Sequence, residues 1–567
     1  MPMLRSQLFA SFLFACFIGA GECAGQSLSS VSQIGGSDHQ LIADVCEDAQ
    51  GDLYLSGSFR GLTDFDPGPG ELPLSSAGLD QIFVGRYHAD LSPVWVAPIG
   101  GAAWLDRGHA VAVGDSGEVV LVGNFYGAGD FDPGAGEAML TPVDGSDFFC
   151  LKLDPMGAFE WVVQVGDSGE AARDVAIGPD EHIFIGGHFT DTLDMDPGPG
   201  ELWLYPINGQ GFFLELSPQG ELLQALNYGA ELIQVDPLPG GGYLLQGKVH
   251  SGMDADPGPG ITVLDDADGQ FFVVLLNEQL DLVEVRQFGH EVEGWGPRLH
   301  HVARDAEGNL ILAGYFFGVI DADPGPGQTL LTAADGSPDA FVARLNPDGT
   351  LAWAYVFGST SADQATGLTL MADGTILLSG QYFNAFDLDP GPGVWTTTVY
   401  GDEDFFLLAL DMDGQFIGAQ ALGNTGEDWL FGTRQCLNGD IIGYGIFEQT
   451  IDFDTGPGVQ ELTSAGLWDI FITRSVWSGL GVEPRPEHVP SLLAYPSPAT
   501  DRLYVRGLSD PSELVVYDPL GRSCQVPMIS RSGDVLTLDL AALPTGNYTI
   551  SRVTDGVRST RSFIVAR

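Results

Sequence analysis

The chain has 567 residues, of which 44% are hydrophobic, enough for a packed core and too many for a disordered chain. Asp and Glu number 77 against 22 Lys and Arg, a formal net charge of −55. Such a surface repels phosphate backbones and anionic lipid, which argues against a nucleic-acid partner, and it attracts cations.

The N-terminus reads as an export signal over residues 1–25. Arg5 supplies a positive start, Leu8 to Ala20 form a short apolar run, and the small residues Gly19, Ala20, Gly21 and Ala24 surround the expected cleavage region. Cys16 and Cys23 leave with that segment. Cys46, Cys150, Cys436 and Cys524 are widely spaced, with no C-x-x-C or Cys/His cluster. Buried free thiols are therefore expected, and neither zinc nor a disulfide framework has support.

The stretch "DFDPGPG" at Asp64–Gly70 returns six times in close variants, starting at Asp130, Asp194, Asp254, Asp321, Asp387 and Asp452. The copies lie 60 to 67 residues apart, and a fixed period dictates the architecture. The fifth copy shows one full unit. "LHHVARDAEG" and "NLILAGYFFG" read as two strands, a long polar connection carries the motif, and "DAFVARLNPDG" and "TLAWAYVFG" read as two more. Four antiparallel strands repeated seven times predict an all-β chain, a seven-bladed β-propeller over residues 27–479. The seventh repeat stops after its third strand at "DIFITRSVWSG", whereas "SSVSQIGG" at Ser29–Gly36 resembles a fourth-strand ending. The N-terminal strand is thus expected to complete the last blade and close the ring, leaving no open edge. "DAFVARLNPDGTLAWAYVFG", followed by "ADGTILLSGQY", resembles the bacterial seven-bladed propeller repeat known as SBBP. The resemblance covers roughly Ser29–Gly479 and implies a fold rather than an activity.

From Leu480 the composition changes. "GVEPRPEHVP" marks a linker, residues 480–491, and four further β-type runs in 492–567 indicate a small β-sandwich. Several short elements occur there in order. They are Tyr495-Pro496 with Pro498-Ala499-Thr500-Asp501, Val516-Tyr517-Asp518 with Gly521-Arg522, Leu543-Pro544 with Gly546 and Tyr548, and a terminal Phe563-Ile564-Val565. This tail is similar to the type A C-terminal sorting domain of the type IX secretion system, with Ser497 where that family usually has Asn. The resemblance implies type IX secretion machinery as a partner, passage across the outer membrane, and release or anchoring at the outer-membrane surface.

Within the repeated motif, Asp66-Pro67-Gly68-Pro69 suits a type II turn with glycine in the left-handed position. In an extended segment Asp64 and Asp66 project to one side and Phe65 to the other. Phe65, Phe131, Met195, Leu388 and Phe453 would anchor the loop on the sheet, with Ala255 and Ala322 as poorer anchors. Two carboxylates about 6 Å apart repel by roughly 3 kcal/mol at an effective dielectric near 20, which invites a counter-charge. Calcium, the natural extracellular choice, would take Asp64, Asp66, Asp130, Asp132, Asp194, Asp196, Asp254, Asp256, Asp321, Asp323, Asp387, Asp389, Asp452 and Asp454 as ligands. The competing reading is a rigid turn in which aspartates cap backbone amides. The expected connections between blades are also acidic (Asp38, Asp106, Glu170, Glu231, Glu293, Asp363 and Asp428), so one face would display two rings of carboxylates. His300-His301 with Arg298 is the most distinctive polar cluster and lies near the expected inner channel. It reads as a metal or acid–base site or, more commonly, a solvated strand start.

No G-x-S-x-G, H-E-x-x-H or P-loop pattern is present. Regular copies favour a secreted or cell-surface binding scaffold with a glycan or protein ligand. The alternative is a hydrolase or lyase acting on a polysaccharide at the acidic face.

Overall fold

The computed structural model describes residues 26–566 apart from 102–105, 144, 167–170, 179, 207–210, 230, 239–240, 250–251, 265–269, 294–297, 335, 456–457, 478–492, 496–499, 501, 507–513, 518–521, 525, 533–534 and 555–556. The expected export signal and linker, and Pro496, Pro498, Ala499, Asp501, Asp518 and Gly521 of the tail, lie outside the described residues. The chain divides into two compact units, Met1–Leu480 and Gly481–Arg567.

Among the described residues there is no helix; every element is a strand. In the first unit, antiparallel meanders recur as seven four-stranded sheets, I to VII in chain order. Sheet I consists of Gln40–Glu47, Leu53–Phe59, Gln81–Tyr87 and Pro93–Gly101. The first strands of sheets II to VII are Arg107–Val113, Ala171–Ile177, Glu231–Pro237, Arg298–Arg304, Gln364–Leu370 and Trp429–Gln435. The second and third strands of each sheet are apolar on both faces. Leu53–Phe59 and Asp404–Leu410 are buried at every position, because each sheet is stacked between two others.

A separate apolar cluster fills each gap between consecutive sheets, from Ile82, Val84 and Phe149 between I and II to Phe405, Leu430 and Phe471 between VI and VII. One more cluster joins sheet VII to sheet I, through Ile42, Val45, Ile442 and Ile470. Sheet VII holds three consecutive strands of its own, ending with Asp469–Trp477. Its fourth is the N-terminal strand Gln26–Gly36, antiparallel to Asp469–Trp477 and in register from Gln26↔Trp477 to Ile34↔Ile470. The missing strand of the seventh repeat is therefore supplied from the opposite end of the unit, as its truncated sequence predicts.

The polar connection between second and third strands proves more ordered than its composition suggests. In the fifth repeat it forms a hairpin, Val319–Asp321 against Leu330–Thr332, and the first repeat does the same with Leu62–Asp64 and Pro73–Ser75. These hairpins also bridge to the end of the preceding sheet. Thr63 and Asp64 pair with Gly36 and Gly35, Gly129 and Asp130 with Gly101 and Gly100, and Asp321 with His290.

The second unit consists of two four-stranded antiparallel sheets around Leu503, Val505, Val516, Leu536, Leu538, Ile550 and Val565. Its tail motif has a physical reading. Leu543 and Tyr548 are buried, and the Tyr548 hydroxyl donates to the Pro544 carbonyl at 2.9 Å, pinning the Leu-Pro-x-Gly turn to the following strand. Cys46, Cys150 and Cys436 are buried free thiols, and Cys524 is a partly exposed one.

Candidate functional site

The seven aspartate motifs share one geometry. Oδ1 of Asp64 accepts the amides of Asp66 (3.1 Å) and Leu72 (2.8 Å), clamping both arms of the hairpin. Asp130, Asp194, Asp254, Asp321, Asp387 and Asp452 each repeat this pair of bonds. The second carboxylate caps the turn. Asp66 Oδ1 accepts the Gly68 amide at 2.8 Å, and Asp132, Asp196, Asp256, Asp323 and Asp389 accept from the corresponding glycines. At Asp454 the corresponding glycine, 456, is outside the described residues.

The expected type II turn is not formed, since Gly68 is absent from the glycines with positive φ. The Asx bond from Asp66 shapes the turn in its place. The later glycine of the motif is needed for close approach, because a Cβ at Gly70 would collide with Asp66 Oδ2, and the six counterparts behave alike. The residue between the aspartates is buried in all seven copies, including Ala255 and Ala322. The backbone there is also held by a tyrosine hydroxyl, which donates to the carbonyl of Ala255 from Tyr228 at 2.7 Å and to that of Phe65 from Tyr87 at 3.1 Å. Backbone amides thus supply positive potential to each aspartate pair, and each such bond contributes about 1 kcal/mol or more.

The second expected ring of carboxylates is not displayed as a ring. Asp106, Asp363 and Asp428 are fully buried. Asp106 accepts the Tyr126 amide at 2.7 Å, and Asp428 accepts the Asn424 amide at 2.6 Å. Burial pushes Asp363 up to about 6 and Asp428 to about 7. Asp38 and Glu231 are half-buried, and the side chains of Glu170 and Glu293 are outside the described residues.

A second buried series escaped the sequence reading. Asp147, Asp339, Asp404 and Asp469 open the third strands of their sheets, where each receives a backbone amide from the preceding turn. Burial raises Asp339 to about 7 and Asp404 to about 6. Their mark in the sequence is an Asp before each apolar third strand, paired with a glycine after the fourth. A Cβ at Gly358 or Gly423 would strike Asp339 or Asp404.

The seven first strands line one cavity of about 1210 Å³. Each strand carries a β-bulge, at its third residue in sheets II to VII and at its fourth, Ala43, in sheet I, which turns an extra side chain toward this channel; positions are counted here with the bulge as the third. The second and fifth residues stay mostly apolar, as in Ile42 and Val45 or Leu299 and Val302. The third and fourth diverge in chemical type. The third are Ala43, His109, Arg173, Ile233, His300, Thr366 and Phe431; the fourth are Asp44, Ala110, Asp174, Gln234, His301, Gly367 and Gly432.

Many of these side chains bridge to the next sheet. Asp44 Oδ2 accepts the Val111 amide (3.0 Å), Asp174 Oδ2 the Val235 amide (2.7 Å) and Gln234 Oε1 the Val302 amide (2.9 Å). Thr366 Oγ1 donates to the Leu430 carbonyl (2.7 Å), and Arg434 Nη1 donates to the Val45 carbonyl (3.3 Å), from sheet VII back to sheet I. Burial raises Asp44 and Asp174 above the usual carboxylate range. His300 and His301 do line the channel. Burial, with His301 and Arg298 nearby, holds His300 down at about 4, so it is neutral at physiological pH. The sequence reading noticed this pair but missed His109 and Arg173, which stand at the same bulge in repeats far away along the chain.

No curated protein matches the chain at a significant level. Several solved structures are similar in outline. A protein of unknown function from Dyadobacter fermentans has 9% identity, covers 80% of this chain and 100% of its own, and gives a TM-score of 0.34. The PQQ domain of pyranose dehydrogenase from Coprinopsis cinerea has 9% identity, 80% and 97% coverage, and a TM-score of 0.31. Apocarotenoid oxygenase from Synechocystis has 10% identity, 80% and 96% coverage, and a TM-score of 0.31. Likenesses this distant say nothing about what this chain binds or does. The C-terminal unit is different, because residues 493–566 match the family described as secretion system C-terminal sorting domain. The chain therefore carries a type IX sorting domain, which marks it as secreted and either attached to the cell surface or released.

Proposed function

We propose that the first unit is a closed, SBBP-like seven-bladed propeller, delivered after signal-peptide export and type IX secretion, that serves outside the cell as a binding scaffold without catalysis of its own. The observation that carries this reading is the contrast between the two faces of the repeat. The aspartate hairpins are nearly identical in all seven copies and are occupied with backbone amides. The channel positions differ from copy to copy, which is where a sevenfold frame acquires a single, asymmetric site. The buried carboxylates of the channel are largely committed to inter-sheet hydrogen bonds, which disfavours the hydrolase alternative.

The test is to present the full-length mature protein with a panel of polysaccharides and glycans, reading retention and released reducing ends together. Retention without release is the expected result. Release of reducing ends would replace this reading with the hydrolase.

Calcium at the fourteen aspartates stays a separate proposal. Among the described residues no group of three or more His, Cys, Asp or Glu is arranged to hold a metal ion. Calcium at these sites predicts that millimolar calcium raises the melting temperature more than sodium chloride at matched ionic strength, and a shift no larger than the sodium control would leave the loops as rigid turns. A larger shift would establish the calcium sites, because a ligand at 100 times its dissociation constant adds about 2.7 kcal/mol per site.

A further inference from the structure

Residues 481–567 contain nine acidic and nine basic side chains, so the whole net charge of −55 belongs to the first unit. Residues 26–477 hold only twelve Lys and Arg, and five of them line the same channel: Arg173, Lys248, Arg298, Arg304 and Arg434. The same cavity is lined by five carboxylates, Asp44, Glu47, Asp174, Glu231 and Asp236, so what calls for a reason is not a net positive lining but the scarcity of such cations elsewhere and their placement along the channel.

They are also sorted along the channel. Arg298 is the first residue of its strand, and His109, Arg173 and His300 occupy bulges two residues in from that end. The same end of sheet II carries Arg107. Arg173 Nε lies 3.3 Å from Glu231 Oε1, the one ion pair of this group, and His188 Nδ1 reaches the same oxygen at 4.0 Å. Among the described residues Arg107, Lys248 and Arg298 form no ion pair.

Beside this basic sector lies a smaller cavity of about 400 Å³, lined by Trp429, Phe431 and Trp468 together with Arg107. The two cavities share Ala43, His109 and Phe431, so they adjoin. A wall of aromatic rings next to a cluster of guanidinium and imidazole donors fits a ligand with an apolar ring face and an oxyanion.

We propose that this end of the channel binds an acidic sugar, with its ring against Phe431 and Trp429 and its carboxylate, phosphate or sulfate held by Arg173 and Arg298. The proposal rests on the reading of the first unit as a binding scaffold and gives it a ligand class. A long polyanion is a poor candidate, because its further charges would meet the acidic exterior. A single acidic sugar inside the channel is shielded from that exterior beyond about 8 Å at physiological salt. His109 and His300 are held neutral by burial and by the neighbouring arginines; His109 is bonded to Asn124, and His300 offers one N–H donor without adding charge.

The experiment is a calorimetric titration of the full-length mature protein at fixed ionic strength. The probes are glucuronate, glucose 6-phosphate and glucose 6-sulfate, with glucose as the neutral control. At least one acidic probe should bind about tenfold or more tightly than glucose, and the preferred probe identifies the oxyanion. Arg298→Gln should weaken that binding about tenfold. So should the pair Arg173→Gln with Glu231→Gln, which removes an arginine without changing net charge. Thermal unfolding of each variant confirms that the fold is kept. Acidic probes that bind no better than glucose, or well-folded variants that bind like the parent, would overturn the proposal. If polysaccharides from the panel are still retained in that case, the scaffold reading stands and only the acidic-sugar site falls.

Discussion

Acidifying the protein from about pH 8 to about pH 6.5 should raise its melting temperature rather than lower it; below that, His109, His300 and His301, which burial holds neutral in the fold, oppose the gain because they protonate first in the unfolded chain. Asp339 and Asp428 are pushed up to about 7, Asp363 and Asp404 to about 6, and Asp469 is raised as well, all chiefly by burial. A carboxylate whose folded pKa lies above its unfolded value binds more protons folded than unfolded between the two. Their contribution to stability therefore falls as pH rises through that window, and it is greatest near and below the ordinary carboxylate range. Each tenfold gain in proton affinity on folding is worth about 1.4 kcal/mol, so these groups together imply a gain of about 2 kcal/mol between about pH 8 and 6.5. Relief of repulsion among the surplus negative charges acts in the same direction. Asp339→Asn and Asp428→Asn separate the two causes. Asn has the shape of the protonated acid, so these variants should be more stable than the parent at pH 8 and show a flatter pH profile. Calorimetry at constant ionic strength reads this directly, and a melting temperature that falls from about pH 8 to 6.5 would show that these carboxylates are ionised in the folded state.

Removing Gln26–Gly36 should destabilise the first unit by roughly 5 kcal/mol or more and expose it to self-association. The strand contributes the fully buried Ile34 to the cluster between sheets VII and I. Gln33 Nε2 bonds Asp469, and the Gly36 amide donates to the same carboxylate at 3.3 Å. Without the strand, Asp469–Trp477 becomes an open edge, ready to pair with another chain. The milder Ile34→Ala, a cavity with the ladder intact, should cost about 3 kcal/mol and leave the association state of the parent unchanged. Urea unfolding and light scattering distinguish the two, and a deletion variant with the stability and association state of the parent would refute the role of the strand.

The architecture was legible because its signals are local and repeated. Strand runs such as "NLILAGYFFG" are bounded by glycine turns, Glu307-Gly308 in this case and Asp-Gly or Asn-Gly in other copies, and the incomplete seventh repeat shows which strand must come from elsewhere. The tail was legible because its motifs fall in order and each holds a definable turn or core position, as Leu543 and Tyr548 do. The channel was not, because no two of its residues need be close in sequence. His109, Arg173 and His300 meet only when three repeats are superimposed on one bulge, and a bulge leaves no composition signature. The aspartate loops were legible in part. Of the two readings their carboxylates offered, the capping of backbone amides is visible in the hairpin, which brings its own amides to Asp64 and its six counterparts, and the cation has its own test. The proline–glycine pair looked like a type II turn because that rule weighs φ alone. Here the Asp66 side chain and the crowding at Gly70 decide the conformation.

The pairing of Gln26 with Trp477 has a consequence for biogenesis. Apart from Gly35 and Gly36, which pair with Asp64 and Thr63, the first strand of the body to be synthesised has no partner until the last one emerges, roughly 450 residues later, a loop closure that must await nearly the whole chain. An unfinished or clipped body cannot seal, and its unpaired edges mark it as defective to any protease that reaches it. Sealing is therefore an inspection for completeness, carried out by the fold itself on a chain destined for export.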